Sequence, residues 1–264
     1  MSEQKICFIS WSGGMDSTGL VTKKLSEGYD VHTVSFNYGQ KHFVELERLQ
    51  QNIQYFKSHN IKVDHTLITI SNTFKKEHST LMSGGEKVPE GYYEESNMLK
   101  TVVSNRNAIF FSHLYSLAHQ YAYSNRTPVE ISLGVHSGDH AIYPDCRPEF
   151  YDIMFKGASV GNYDSHLVTM SLPYLNDNKL VILQDALEAC TILGLDFDTV
   201  FANTNTCYEP DEQGRSTGRT GADTERILAF HDLGRPDPVP YVAPWEEVLA
   251  FALQARESFE NQFK

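Results

Sequence analysis

Over the first seventy residues, short apolar runs alternate with stretches whose apolar positions recur at helical spacing. The run Cys7–Ser10 stops at a glycine-rich turn. Over Asp16–Glu27, Leu20, Val21 and Leu25 fall on one side and Gly28 supplies a stop, which predicts a helix. Val31–Phe36 reads as a second strand. Phe43, Leu46, Leu49, Ile53 and Phe56 predict a helix over Phe43–Phe56, and Val63–Ile70 reads as a third strand. Strand, helix, strand, helix, strand in this order predicts a parallel sheet covered by helices on both faces.

The pattern then weakens. Ser71–Lys100 is polar, holds three glycines and has little periodicity, so it reads as a long insertion or lid. An aromatic-rich helix is predicted over Asn105–Tyr123 and a buried strand over Val129–Gly134. Val135–Arg147 is irregular and begins where that strand ends. Pro148–Lys156 and Lys179–Leu193 read as helices, Asn203–Gly221 as loop, and Ala222–Leu233 and Trp245–Phe263 as closing helices. There is no internal repeat and no low-complexity tract.

Length and charge narrow the classes. With 264 residues the chain suits one large α/β domain, or a domain with a small appendage. Its 41% hydrophobic and 21% charged residues fit a globular protein. No apolar run approaches the roughly 18–20 residues of a membrane helix, and MSEQKICFIS lacks the basic and apolar regions of a secretion signal. A cytoplasmic, membrane-free protein is expected. The net charge of −12 repels a long polyanion, so a small molecule rather than nucleic acid is the expected partner. Four scattered cysteines without a CxxC pair fit a reducing compartment.

The chemistry concentrates at Ser12-Gly13-Gly14-Met15-Asp16-Ser17, directly after the first strand. Ligands of open parallel sheets sit beyond the carboxyl ends of the strands. Two glycines let the backbone turn tightly and aim its N–H groups at an anion, and the next helix adds its positive end. Ser12 and Ser17 add hydroxyl donors. Asp16 cannot bind phosphate directly, so its sensible role is to hold Mg²⁺ against phosphate oxygens. Neither GxxxxGK[ST] nor GxGxxG is present. A plain Ser/Gly turn capping a helix is the structural alternative.

SGGxDS in this setting resembles the pyrophosphate loop (PP-loop) of the N-type ATP pyrophosphatases. Further strings narrow the likeness: Ser35-Phe36-Asn37-Tyr38-Gly39-Gln40-Lys41-His42, Ser104-Asn105-Arg106-Asn107, Gly134-Val135, Tyr143-Pro144-Asp145-Cys146-Arg147 and Pro148-Glu149-Phe150. Together, from about Ile6 to about Phe230, they resemble the 7-cyano-7-deazaguanine synthase (QueC) family. That resemblance implies a Rossmann-like (HUP-type) five-stranded parallel α/β domain over residues 1–200. It implies a small helical lobe and tail over 201–264, and a homodimer.

The same resemblance implies a reaction. ATP activates the carboxylate of 7-carboxy-7-deazaguanine as an acyl-adenylate, and ammonia displaces AMP. A second ATP then drives dehydration of the amide to the nitrile. Implied nucleotide contacts are Ser10, Ser12, Gly13, Gly14, Met15, Asp16, Ser17, Phe36 and Gln40, with Mg²⁺ held through Asp16. Implied substrate contacts are Arg106, Asn107, Tyr143, Asp145 and Arg147, and implied catalytic groups are Asp16, Ser17, Arg106 and Lys179. From the residues alone, Arg106 at a helix start wants either a buried anion or a surface salt bridge. Asp145 and Arg147 either meet the substrate's guanine-like edge and its anion, or pair to fix a proline-flanked turn. Cys146 reads as packing rather than nucleophile, and His42 as structural more than acid–base.

The family pattern breaks near the C-terminus. Thr206-Cys207-Tyr208 matches one zinc cysteine, but the next three fall on Thr217, Thr220 and Asp223. One Cys and one Asp cannot close a structural tetrahedral zinc site, so no zinc is expected. The changed lobe leaves the final amine open: ammonia, or the N-terminal amine of an acceptor protein, as in QueC-like proteins of antiviral defence systems. A nucleotide-binding protein without turnover, or a tRNA-modifying relative, are the remaining readings. The latter sits badly with the acidic balance.

Overall fold

The computed structural model of the protein describes residues 4–92 and 96–262. Five strands, β1 (Ile6–Ser10), β2 (Asp30–Asn37), β3 (Asp64–Thr69), β4 (Val129–Ser132) and β5 (Val168–Ser171), form one sheet. Its order is β3-β2-β1-β4-β5 and every pairing is parallel. β1 lies at the centre, and its side chains alternate between two cores: Ile6 and Phe8 on one face, Cys7 and Ile9 on the other. That is the two-sided burial a crossover-connected parallel sheet demands.

Helices α1 (Met15–Ser26), α2 (Val44–Ser58) and α5 (Lys179–Leu193) supply Leu20, Leu49, Phe56 and Ile182 to the Cys7/Ile9 face. Helices α3 (Arg106–Asn125) and α4 (Pro148–Val160) supply Phe111, Leu114 and Tyr151 to the Ile6/Phe8 face. The Asn178 side chain accepts from the N–H groups of Leu180 and Val181, which fixes where α5 begins, and left-handed Gly194 ends it. The short α6 (Phe197–Ala202) and then α7 (Gly221–Asp232) and α8 (Trp245–Asn261) close the chain. α7 faces two ways. Ala229 and Phe230 join Phe197 and Phe201 in the core on the Cys7/Ile9 face, while Ile227 and Leu228 pack on Val248 and Ala252 of α8. No helix among the described residues is long and apolar enough to cross a membrane.

Hydrophobic pattern locates four of the five strands. β5 escapes it because Val168–Ser171 offers only four residues and one fully buried side chain, Val168. The polar segment 71–100, expected as a long insertion or lid, is anchored to the body. Its described part is pinned by Phe74, Leu81, Met82, Val88 and Met98, all buried in the main core. Sparse apolar anchors hold it, with no period for the sequence to display.

The architecture places the site. Strand order reverses between β1 and β4, so the turn after β1 and the segment after β4 splay apart at their carboxyl ends. The crevice between them opens beside Ser12 and Gly134.

Candidate active site

The turn after β1 is built around its own hydroxyls. The amide of Ser12 donates to Ser17 Oγ at 3.2 Å, the amide of Gly14 donates to Ser12 Oγ at 3.0 Å, and the two serine hydroxyls lie 3.1 Å apart. Gly13 has φ +94°, and a Cβ there would stand 2.1 Å from the carbonyl oxygen of Glu45. Only glycine permits this approach of α2 to the turn. Behind it, the indole N–H of Trp11 donates to Thr18 Oγ1 at 2.9 Å, and the hydroxyl of Ser35 donates to the Trp11 carbonyl. Gly134 performs a similar service from β4. A Cβ there would meet the Asp16–Ser17 peptide at 3.2 Å.

Asp16 opens α1, and α5 brings Lys179 to it with Nζ 2.6 Å from Oδ2. Two groups complete the cluster. His136 Nε2 is 2.9 Å from Lys179 Nζ, and Glu225 of α7 has Oε2 3.3 Å from it. Burial alone would raise the Asp16 carboxyl. The Lys179 charge and hydrogen bond, with His136 beside them, outweigh it and hold Asp16 below the ordinary carboxylate value. Asp16 is thus ionised across the neutral range.

The opposite wall comes from β2, α2 and α3. Asn105, left-handed at φ +58°, turns the chain into α3 so that Arg106 faces inward. Its Nη1 donates to the Tyr38 hydroxyl at 3.5 Å and its Nε to Asn107 Oδ1 at 3.2 Å. The guanidinium also lies over the Tyr38 and Phe110 rings, at 5.7 and 5.8 Å. Among the described residues no carboxylate comes within 4 Å of it. Burial opposes its charge, yet Tyr38, Tyr208, Tyr143 and Asp145 around it keep it cationic. A cation dressed mainly by aromatic rings is set to receive an anion.

Beside Arg106 lies a buried acid–base pair. Glu45 Oε1 is 3.5 Å from His42 Nε2 and accepts from Gln40 Nε2 at 3.3 Å. Burial pushes the Glu45 carboxyl up to about 8, against the pull of Gln40 and Arg106. Burial and the Arg106 cation push the His42 imidazole down to about 3. Both are therefore neutral at pH 7, the outcome expected when low dielectric disfavours an ion pair.

Of these groups, Asp16, Lys179, Glu225, Arg106, Glu45 and His42 line one cleft of about 230 Å³. Of the residues singled out from sequence, it gathers Ser10, Ser12, Gly14, Asp16, Ser17, Arg106, Asn107, Tyr143 and Lys179. The others lie outside its lining. Gly13 backs the turn, Met15 is buried in the core with α5, and Phe36 stacks on Phe110 at 4.1 Å. Gln40 props the β2 turn, accepting from the Tyr38 amide. Asp145 is half-buried near Arg106, and exposed Arg147 donates to the His140 carbonyl at 3.1 Å. Cys146 lines the cleft and accepts from the Asn107 amide at 3.5 Å. Sequence reasoning missed His136, Glu45 and Glu225. His136 follows the Gly134-Val135 string at the carboxyl end of β4, a position that could have flagged it. Nothing local announces Glu225.

One atom bears on magnesium. Asp16 Oδ1 is buried and has no hydrogen-bond partner among the described residues, while Oδ2 is taken by Lys179. Among the described residues no cluster of three or more His, Cys, Asp or Glu is arranged to hold a metal unaided. A single free carboxylate oxygen suits Mg²⁺, which usually takes one or two carboxylates and fills its shell with phosphate and water. The donor set fits an ion that arrives with the nucleotide.

Residues 6–234 match the family model described as queuosine biosynthesis protein QueC. The relative from Marinomonas sp. is 38% identical over 243 residues, covering 92% of this chain and all of the relative. The one from Alteromonas mediterranea is 41% identical over 241 residues, with 91% and 100% covered. The one from Caldicellulosiruptor saccharolyticus is 39% identical, with 87% and 92% covered. All three bear the name 7-cyano-7-deazaguanine synthase. A chain matched over nearly its full length, with the glycine turn of β1 and the Arg106 wall meeting at the strand-order reversal, belongs to the QueC family of PP-loop enzymes.

Proposed function

We propose that this chain couples two ATP molecules to the conversion of 7-carboxy-7-deazaguanine, through its amide, to 7-cyano-7-deazaguanine. A carboxylate oxygen attacks the α-phosphorus of ATP, and the bond from that phosphorus to the β-phosphate bridge breaks. Pyrophosphate leaves. Ammonia then adds to the acyl carbon, the C–O bond to AMP breaks and a proton departs, giving the amide. The amide oxygen attacks the α-phosphorus of a second ATP, and a second pyrophosphate leaves. Loss of AMP and two nitrogen protons leaves the nitrile.

The chain's own groups map onto these demands. The amides and hydroxyls of Ser12–Ser17 and the positive end of α1 suit the outgoing pyrophosphate, where negative charge accumulates. Asp16 would hold Mg²⁺ there, and that ion would neutralise phosphate oxygens. Lys179, shared between Asp16 and Glu225, stands at the same end of the cleft. Arg106 suits the substrate carboxylate and holds it for in-line attack. Tyr143, fixed by a 2.6 Å contact between its hydroxyl and Thr101 Oγ1, offers a flat face toward a bicyclic base.

The observation that carries this reading is that the glycine turn and the Arg106 guanidinium, with no carboxylate within 4 Å of it among the described residues, open onto one cleft. Such a site joins an anionic leaving group to an anionic nucleophile. The setting is a cytoplasmic enzyme of small molecules. The test is incubation with ATP, Mg²⁺ and 7-carboxy-7-deazaguanine, with and without ammonia, with products separated and weighed by mass spectrometry. AMP and nitrile are expected, in a ratio of about two to one from the two adenylation steps. ADP with phosphate, or no AMP at all, refutes the reading.

A further inference from the structure

The four positions where the family likeness would set zinc ligands, Cys207, Thr217, Thr220 and Asp223, do meet in space, around a carboxylate oxygen. Asp223 Oδ2 is approached by Cys207 Sγ at 3.2 Å, Thr217 Oγ1 at 3.0 Å and Thr220 Oγ1 at 2.9 Å. The backbone amides of Gly218, Arg219 and Thr220 point at the same atom from 3.1, 3.3 and 3.2 Å. Asp223 and Thr220 also exchange the reciprocal bonds that cap the start of α7. Asp223 is wholly buried.

This donor set does not fit zinc. A structural zinc ion needs four electron-pair donors, preferably thiolates and imidazoles. Here one thiol, one carboxylate and two alcohols are available. Three backbone N–H groups, which cannot turn away, converge on the point where a ligand oxygen would have to face the metal. Convergent amides form a concavity of positive potential, which attracts an anion and repels a cation. The Asp223 Oδ2 atom fills that concavity; burial pushes its carboxyl up, and the hydrogen bonds from Cys207, Thr220 and Thr217 work against that push.

We propose that the Asp223 carboxylate replaces a metal ion as the closing element of the C-terminal lobe. The clasp joins Cys207 on one side of the 208–216 excursion to Thr217–Thr220 on the other. Two residues before Cys207, the Asn205 amide donates to the Gly13 carbonyl at 3.0 Å. Two residues after Asp223, Glu225 reaches Lys179. The clasp thereby ties together the segment that bonds to Gly13 and the helix that reaches Lys179, and does so with hydrogen bonds alone. Nothing in this depends on which reaction the cleft performs.

The experiment measures metal and melting. Protein is produced in zinc-supplemented medium, its metals are counted by plasma mass spectrometry, and its melting midpoint is read with and without a strong chelator. The wild type is expected to carry no stoichiometric metal and to melt unchanged after chelation. Cys207→Ser separates the alternatives. A hydroxyl still donates to Asp223, so the midpoint should stay within about 2 °C, whereas a metal site would lose its best ligand. Asp223→Asn keeps the shape but removes the charge and should lower the midpoint by about 5 °C or more. If Asp223→Asn gives no folded protein, Thr217→Val, which deletes one donor, should give a smaller but clear drop. One zinc per chain in the wild type, a chelator-sensitive midpoint, collapse of Cys207→Ser, or an unaltered Asp223→Asn or Thr217→Val would each overturn the proposal.

Discussion

Replacing Glu45 by glutamine should abolish an alkaline loss of stability. In the folded chain the single proton of the Glu45–His42 pair sits on Glu45, pushed up to about 8, while His42 is pushed down to about 3. In the unfolded chain the ordinary values of 4.5 and 6.5 apply, so the proton sits on His42. Between pH 4.5 and 6.5 both states carry one proton on the pair, and stability does not change with pH on its account. Below pH 4.5 the unfolded pair gains a second proton and stability falls towards pH 3. Above pH 6.5 the unfolded pair loses its proton while the folded pair keeps it until about pH 8. That interval of about 1.5 units, at ~1.4 kcal/mol per unit, amounts to about 2 kcal/mol, or ~4–8 °C of midpoint in a chain this size. Glutamine is neutral throughout. Glu45→Gln should therefore gain stability up to pH 6.5 through His42 alone and then stay level. Urea melts of both proteins from pH 4 to 8.5 provide the comparison, since other titrating groups cancel in the difference. Gln40, Arg106, Tyr38 and Tyr208, which face the pair, are unchanged in it. Parallel curves between pH 6.5 and 8 would refute the buried neutral pair.

Other outcomes follow from the same geometry. Asp16→Asn should cut AMP release about 10²–10³-fold at fixed Mg²⁺, and a wild-type rate would show that the carboxylate holds nothing that matters. Arg106→Lys keeps the charge but loses the fork, so KM for the deazaguanine carboxylate should rise about tenfold or more with kcat less affected; an unchanged KM separates Arg106 from substrate. Gly13→Ala places a methyl 2.1 Å from the Glu45 carbonyl at φ +94° and should cost more than ~2 kcal/mol in urea unfolding. Asp237→Ala should cost about 3–5 kcal/mol, because it leaves Arg226, 1% exposed, without its bidentate partner. A loss below 1 kcal/mol would mean that water reaches the guanidinium.

Where periodicity is long, the sequence speaks clearly. α5 was legible to the residue because Asn178 and Gly194 mark its ends chemically. The turn after β1 was legible as a turn because its glycines and serines stand in one short string directly after a strand. β5 was not, since a four-residue strand between covered faces need not alternate. The cleft divides in the same way. Residues belonging to one string, such as Ser12 to Ser17, could be found together. Lys179 could be placed only through family likeness. Glu225 and Glu45 enter from helices whose local pattern is set by packing, and their meeting with Lys179 and His42 is a property of the tertiary fold. The clasp illustrates a further limit: sequence shows that cysteines have been exchanged, whereas the convergence of three amides on Asp223 exists only in the folded backbone.

The contact between Glu225 and Lys179 also orders events in time. On the ribosome, the turn after β1 emerges well before Asn205, which bonds to Gly13, and Glu225, which reaches Lys179. An incomplete nascent chain can pair its strands yet cannot assemble the full cluster around Lys179. The cluster around Lys179 is thereby completed only after α7 has been made.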